Sequence, residues 1–172
     1  MLNSLEIKSH IQFPESLGED VNQTQQVSID LRVKEIHTMI DFGKVFKERT
    51  SPPIYKKIPT MTGEVDNDSG MRSGWMLHPG IYSVIFHEGI EVPSDIAFII
   101  THRSSILRCG GTITSGIYDP GFKTKEIGAF LNVVYPLFIE EGSRIATTIG
   151  WKCSEVNKEN IYNGQWQNGK NQ

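Results

Sequence analysis

From residue 75 to residue 151 the chain is a succession of short apolar runs, each bounded by turn signals. Pro79-Gly80 leads into Ile81 to Phe86, Glu88-Gly89 into Ile90 to Val92, and Pro93-Ser94 into Ile96 to Thr101. Asp119-Pro120-Gly121 and Glu140-Glu141-Gly142 punctuate the remainder, with Ile127 to Val134 and Arg144 to Trp151 as further runs. Runs this short between glycine, proline and acidic turn residues read as strands. Beyond residue 40 no window of ten or more residues carries the three-to-four spacing of an amphipathic helix. The pattern predicts an all-β domain, a barrel or a jelly roll.

The front of the chain is less regular. Residues 1–26 are polar and are expected to form an N-terminal extension holding a short helix. Val27, Ile29, Leu31 and Val33 alternate with polar residues, which predicts a first strand with one apolar face. Residues 41–74 hold Pro52-Pro53, Pro59, Gly63, Gly70 and Gly74. They read as weak strands broken by a long loop, with 62–74 as the expected mobile segment. Residues 152–172 are polar apart from Tyr162 and Trp166 and read as a C-terminal tail that packs only in part. At 172 residues the chain has the length of one domain, here placed at 1–151.

Composition removes several function classes. Apolar residues make up 38% and charged residues 22%, an ordinary globular balance. A net charge of −3 gives no general attraction to nucleic acid or to an anionic membrane, so neither is expected as a partner. The aliphatic run Ile96 to Ile100 is too short to cross a bilayer, and Met1 to Gln12 lack a signal-peptide core. Cys109 and Cys153 show neither metal-ligand spacing nor a disulfide framework, and a reducing cytoplasm is the expected compartment. The histidines at 10, 37, 78, 87 and 102 are scattered, so no protein-ligated zinc or iron centre is expected.

Two pieces carry candidate chemistry. Arg103-Ser104-Ser105 and Arg108 gather two guanidinium groups and two hydroxyls directly after a buried-type strand. Planar guanidinium groups donate paired hydrogen bonds to phosphate oxygens and stay charged at any working pH. The alternative is a short helix capped by serine, with solvated arginines. Asp119 precedes Pro120-Gly121-Phe122 and is either a turn-forming aspartate or a carboxylate placed to activate water. Asp30 lies on the polar face of the first strand, either solvated or in contact with metal-bound water.

Residues 27–151 resemble the superfamily of trimeric dUTPases and dCTP deaminases. The resemblance rests on ordered pieces: Ser28-Ile29-Asp30-Leu31-Arg32, Leu77-His78-Pro79-Gly80, Val92-Pro93, Arg103 to Gly110, Ile117-Tyr118-Asp119-Pro120-Gly121-Phe122, Asn132, and Gly142 to Ala146. The Arg-Ser-Ser and Asp-Pro-Gly-Phe forms, with the tail Tyr162 to Gln167, look like the deaminase branch. The resemblance implies a distorted β-barrel or jelly-roll subunit in a homotrimer, with active sites at the subunit interfaces. It implies deoxypyrimidine triphosphates as substrates, with magnesium bound to their phosphates. Carried over by position, Arg103, Ser104, Ser105 and Arg108 hold phosphates or the reacting base. Asp119 activates the water that attacks the α-phosphate, and Phe122 stacks on the deoxyribose. Ile117, Tyr118 and Trp166 belong to the same expected substrate site, and Asp30 supports the metal through water.

The departures from that pattern carry information too. The deaminases place a glutamate at the position of Ala129, where it shuttles protons at C4 of cytosine; alanine cannot do so. Glu126, three residues away along a strand, points to the other face. The hairpin between Arg108 and Asp119 is shorter than usual. Thr124 stands for a glycine and Thr147 for a glutamine, and the glycine-rich C-terminal arm of typical dUTPases is absent. The hydrolytic carboxylate is kept and the deaminating one is lost. The expected activity is therefore a dUTP-type diphosphohydrolase; the alternatives are a dCTP deaminase and a weakly catalytic nucleotide- or partner-binding trimer.

Overall fold

The computed structural model describes residues 1–65, 70–154, 156, 157, 159 and 161–169. A helix α1 (Ser4–Lys8) is followed by β1 (Ile11–Gln12), β2 (Ile29–Met39), β3 (Lys44–Val45), β4 (Thr50–Ser51), β5 (Tyr55–Lys57), β6 (Met61–Glu64), β7 (Met71–Leu77), β8 (Gly80–Phe86), β9 (Gly89–Glu91) and β10 (Ile96–His102). A single-turn helix α2 (Ser104–Arg108) then leads to β11 (Gly111–Tyr118), β12 (Lys123–Thr124), β13 (Gly128–Val133), β14 (Leu137–Glu140) and β15 (Arg144–Lys152).

The strands run in the order β15-β10-β11-β13-β8-β2, and β2 pairs back onto β15, which closes a barrel. All these barrel pairings are antiparallel, as in β10 with β15, where Ile96 faces Lys152 and His102 faces Ala146. Closure gives each of these six strands a neighbour on both sides, although β11 and β13 pair over only part of their length. The all-β barrel expected from the turn spacing is the fold observed. Ile29, Leu31 and Val33 are fully buried, together with Val84, Phe86, Phe98 and Leu131, whereas Val27, expected on the same face, precedes β2 and is exposed.

The N-terminal extension is part of this core. An Asn3–Glu6 capping box starts α1, and Leu2, Ile7 and Ile11 are buried against the barrel. The segment 62–74, expected as a mobile loop, is largely a hairpin: β6 pairs with β7 from Met61↔Gly74 to Glu64↔Met71. Residues 66–69 lie outside the described residues. β6 shows no apolar alternation because most of it is exposed, and its pairing rests on backbone hydrogen bonds. The Trp75 side chain, buried beneath this layer, donates Nε1–H to the Ile58 carbonyl at 3.0 Å.

Candidate active site

The arginine cluster is built where β10 ends. Arg103 sits at the N-cap of α2 with extended backbone, so its chain leaves the barrel rim and turns at once. Its N–H donates to the Ile145 carbonyl at 3.1 Å and its Nη1 to the Arg144 carbonyl at 3.0 Å. Its Nε lies 2.8 Å from Oδ2 of Asp30. Asp30 is only 1% exposed, while the Arg103 side chain remains 28% exposed. Burial raises the Asp30 carboxyl above the usual carboxylate range; the Arg103 charge, the Thr147 hydroxyl and the Arg144 charge oppose the rise. Arg144 stands 3.8 Å from the same oxygen, and Gln25 Nε2 donates to it at 3.2 Å. The sequence left Asp30 either solvated or at a metal water; in the fold it is buried and holds a guanidinium. Ser104, Ser105 and Arg108 project from α2 and are exposed.

The second part lies at the far end of the β10–β11 ladder. Asp119 begins a turn in which the Phe122 amide donates to the Asp119 carbonyl at 3.0 Å. Gly121 takes φ +88°, a left-handed conformation that glycine supplies without strain. The turn is locked to Val92 by hydrogen bonds in both directions, Gly121 N–H to Val92 O and Val92 N–H to Phe122 O. The Asp119 side chain is exposed, and no described residue bonds to it.

Arg103 and Asp119 do not meet within one chain. Tyr118 lies opposite Phe98 and Thr114 opposite Thr101, so the ladder carries Asp119 away from Arg103. At about 3.3 Å per residue, Phe98 and Arg103 are separated by roughly 17 Å along the strand.

Between these two ends the sheet opens. β11 and β13 pair only from Gly111↔Val133 to Thr114↔Phe130, and beyond that β11 follows β10 instead. The Tyr118 hydroxyl spans the split, donating to the Gly128 carbonyl at 2.5 Å. Burial pushes the Tyr118 phenol up, so it keeps its proton at any working pH. Ser115, Gly116, Gly128 and Ala129 line the opening, which continues into a cavity of about 1230 Å³ under the β3–β4 arm. Glu35, His37 and Lys57 form the other wall; Glu35 holds Lys57 at 2.7 Å and His37 at 3.2 Å. Lys57 pulls the Glu35 carboxyl below its ordinary value. These three were not singled out in the sequence, although the i, i+2 spacing of Glu35 and His37 already placed both on one face of β2.

The tail reaches the same region. Tyr162 N–H donates to the Pro120 carbonyl at 3.0 Å, Lys123 N–H to Gln167 Oε1 at 2.9 Å, and Gln167 Nε2 to the Gly121 carbonyl at 2.9 Å. Trp166 forms part of the cavity wall. Phe122 is 9% exposed, its ring packed edge-to-face between Tyr118 at 5.3 Å and Tyr162 at 5.4 Å. Of the residues expected to touch substrate, Phe122 and Tyr118 are therefore enclosed by the chain's own aromatic groups, whereas Ile117 is exposed.

Among the described residues no group of three or more histidine, cysteine or acidic side chains is placed to hold a metal ion, and no helix is long and apolar enough to cross a membrane.

A family model for dCTP deaminase-like proteins matches residues 1–149. The chain belongs to the dCTP deaminase-like family. Similar curated proteins carry hydrolase names. The deoxyuridine 5′-triphosphate nucleotidohydrolase of Methanocaldococcus jannaschii is 32% identical over 150 residues, covering 83% of this chain and 88% of that protein. A probable deoxyuridine 5′-triphosphate nucleotidohydrolase of Methanosarcina acetivorans is 30% identical, covering 98% and 96%. Among solved structures, the 2′-deoxycytidine 5′-triphosphate deaminase of Agrobacterium tumefaciens superposes with a TM-score of 0.61 at 16% identity. That match covers 92% of this chain, which spans half the length of the other protein and shares its fold. The family assignment rests on the sequence match, and the structural match shows the shared fold.

Proposed function

We propose that this chain hydrolyses dUTP-type deoxynucleoside triphosphates to the monophosphate and pyrophosphate. The observation that carries the proposal is the pairing of an untethered carboxylate, Asp119, with an alanine, Ala129, in the wall of the adjoining opening. Asp119 takes a proton from water, the water oxygen bonds to the α-phosphorus, and the bond from that phosphorus to the bridging oxygen breaks to release pyrophosphate. Arg103, Ser104, Ser105 and Arg108 neutralise and align the phosphates, which is most of what phosphoryl transfer needs. The names of the archaeal relatives support a hydrolase.

The reading extends to a homotrimer, which the resemblance implies; the geometry supports a site shared between subunits. Attack on phosphorus needs water, carboxylate and phosphate ligands within a few ångströms of one another. Roughly 17 Å of strand lies between the two parts of the site within a single chain, so Asp119 of one subunit works with the arginines of a neighbour. Exposed Leu107, Ile117 and Phe130 give such an interface apolar surface. The protein offers Asp119 as a free carboxylate while Asp30 is engaged, a donor set that suits magnesium arriving on the triphosphate. When bound, that ion supplies charge neutralisation at the phosphates. The exposed thiols Cys109 and Cys153 suit a reducing cytoplasm.

The family model favours a second reading, deamination of dCTP. One assay separates the two: pyrophosphate and ammonia release from dUTP, dCTP and the other deoxynucleotides, with magnesium and with chelator. The proposal expects pyrophosphate from dUTP, no ammonia, loss of activity on chelation, and a drop of about 10³-fold or more in Asp119→Asn. Ammonia from dCTP, or pyrophosphate release untouched by Asp119→Asn, would overturn it.

A further inference from the structure

Gln23 is fully buried although it lies in a polar loop that no motif includes. Every polar group it carries is used. Its carbonyl accepts from the Asp30 N–H at 2.8 Å, and its side-chain Nε2 donates to the Asp30 carbonyl at 2.9 Å. The same Nε2 donates to Oε1 of Glu88 at 2.8 Å, its Oε1 accepts from the Asp20 N–H at 2.8 Å, and its N–H donates to the Asp20 carbonyl at 2.8 Å. Glu88 is itself fully buried and is fixed by Arg32, through Nε at 2.7 Å and the backbone N–H at 2.9 Å. Two residues on, Gln25 donates Nε2 to the Asp30 carboxylate at 3.2 Å. The loop thus grips Asp30 by both main-chain groups and by one carboxylate oxygen, and that oxygen is the one that lies 2.8 Å from Nε of Arg103.

We propose that Gln23 and Gln25, backed by the buried Glu88–Arg32 pair, are positioning residues that aim the Arg103 guanidinium at substrate phosphate through Asp30. Burying this much polar surface costs stability unless every bond is made, and an apolar residue at 23 would meet the packing need without it. What the amides supply is direction. With Asp30 pinned at its backbone, the carboxylate cannot follow a rotating Arg103, and the guanidinium is held for a phosphate rather than left to search for one. The N-terminal loop is in this sense part of the phosphate site, though it touches no phosphate. The inference rests on the proposed function, because it takes Arg103 to be a phosphate ligand.

The test is a double-mutant cycle read by binding. Kd for the non-hydrolysable α,β-imido-dUTP is measured by calorimetry for wild type, Gln23→Met, Gln25→Ala and Arg103→Ala, and for each glutamine variant combined with Arg103→Ala. KM and kcat for dUTP are measured in parallel for the variants that keep Arg103. Gln23→Met keeps bulk and removes the amide. Gln25 is partly exposed, so Gln25→Ala folds even if the buried substitution does not. Gln23→Met is expected to raise Kd and KM on the order of tenfold with kcat little changed, Gln25→Ala to raise them by a smaller factor, and both effects to vanish once Arg103 is gone. An equal factor in both backgrounds, or no change in KM for either glutamine variant, overturns the positioning role alone. A wild type that neither binds the analogue nor releases pyrophosphate overturns the proposed function, and this inference with it.

Discussion

Replacing Tyr118 with phenylalanine removes one oxygen and nothing else from the point where the β11–β13 ladder splits. That oxygen donates to the Gly128 carbonyl at 2.5 Å from a fully packed ring, with Phe122 edge-on beside it. The lost hydrogen bond and the carbonyl left without its donor together cost about 1–3 kcal/mol. For a domain of this length that is a melting point lower by roughly 3–8 °C. Tyr82→Phe is the control: its hydroxyl also donates to a backbone carbonyl, that of His78 at 2.8 Å, but the bond is exposed and water replaces it. Its melting point should fall by no more than about 2 °C. The assay is thermal unfolding at one fixed protein concentration, since the proposed assembly would make melting concentration-dependent. Because the bond bridges the two strands at the opening, Tyr118→Phe should also raise KM for the nucleotide more than it lowers kcat. If both variants melt within about 1 °C of each other, the hydroxyl is not what closes the split ladder.

Other perturbations follow from the same contacts. A Cβ on Gly121 would lie 2.0 Å from Cγ2 of Ile161 at a backbone φ of +88°, so Gly121→Ala should expel the tail; hydrogen exchange at 162–167 should accelerate while barrel amides stay protected. Glu88→Leu strands the buried Arg32 charge and should lower stability by about 3–5 kcal/mol in urea unfolding; a loss below about 1 kcal/mol would show that Arg32 finds another partner. Burial raises the Asp30 carboxyl, so the folded state holds this proton to a higher pH than the unfolded state does. Stability from this group is therefore greatest below its ordinary value of 3.8 and falls as pH rises through the raised one. The stability of Asp30→Asn relative to wild type should accordingly climb with pH through that window, and a flat difference across urea midpoints would contradict the assignment.

The barrel was readable because its strands carry their burial in their own alternation. Ile29, Leu31 and Val33 announce an inward face, and the proline–glycine signals mark where strands begin. The polar face of β2 was not readable, because what covers it comes from elsewhere in the chain. Asp30 looks solvated until Gln23 and Gln25 fold over it and Arg103 arrives from the end of β10. The β6–β7 hairpin escaped because exposed strands held by backbone bonds have no apolar pattern to show. The contacts by which the tail docks were not readable for a similar reason. It docks through backbone groups of Pro120 and Gly121 and through the amide of Gln167, which are invisible to hydropathy. The arginines and Asp119 were recognisable by type and spacing, whereas their separation within one chain depends on the register of β10 and β11.

The deaminase frame and the hydrolase names of the relatives meet at Ala129. Removing an amino group from cytosine needs a group that takes a proton from water and returns one to the departing nitrogen. Near Ala129 the opening offers Ser115 and the backbone of Gly116 and Gly128, none of which titrates usefully at working pH. The Tyr118 phenol is protonated and already committed to Gly128. Glu126 is paired with Lys34. Glu35 shares the cavity, yet it lies across from Ile85, which in turn lies across from Gly128. Two strand spacings put it roughly 10 Å away, and Lys57 already holds it. His37, also on the cavity wall, lies across from Ser83 and so two strands from Phe130, and it is paired with Glu35; among the described residues neither the acidic nor the histidine side chain of the cavity wall therefore adjoins Ala129. Asp119, by contrast, stands free on the rim, where a neighbouring subunit's arginines could bring a phosphate to it. Under the proposed function, an opening lined by Ala129 without a proton-transferring group beside it, together with the free carboxylate of Asp119, suits cleavage of the phosphate chain rather than deamination.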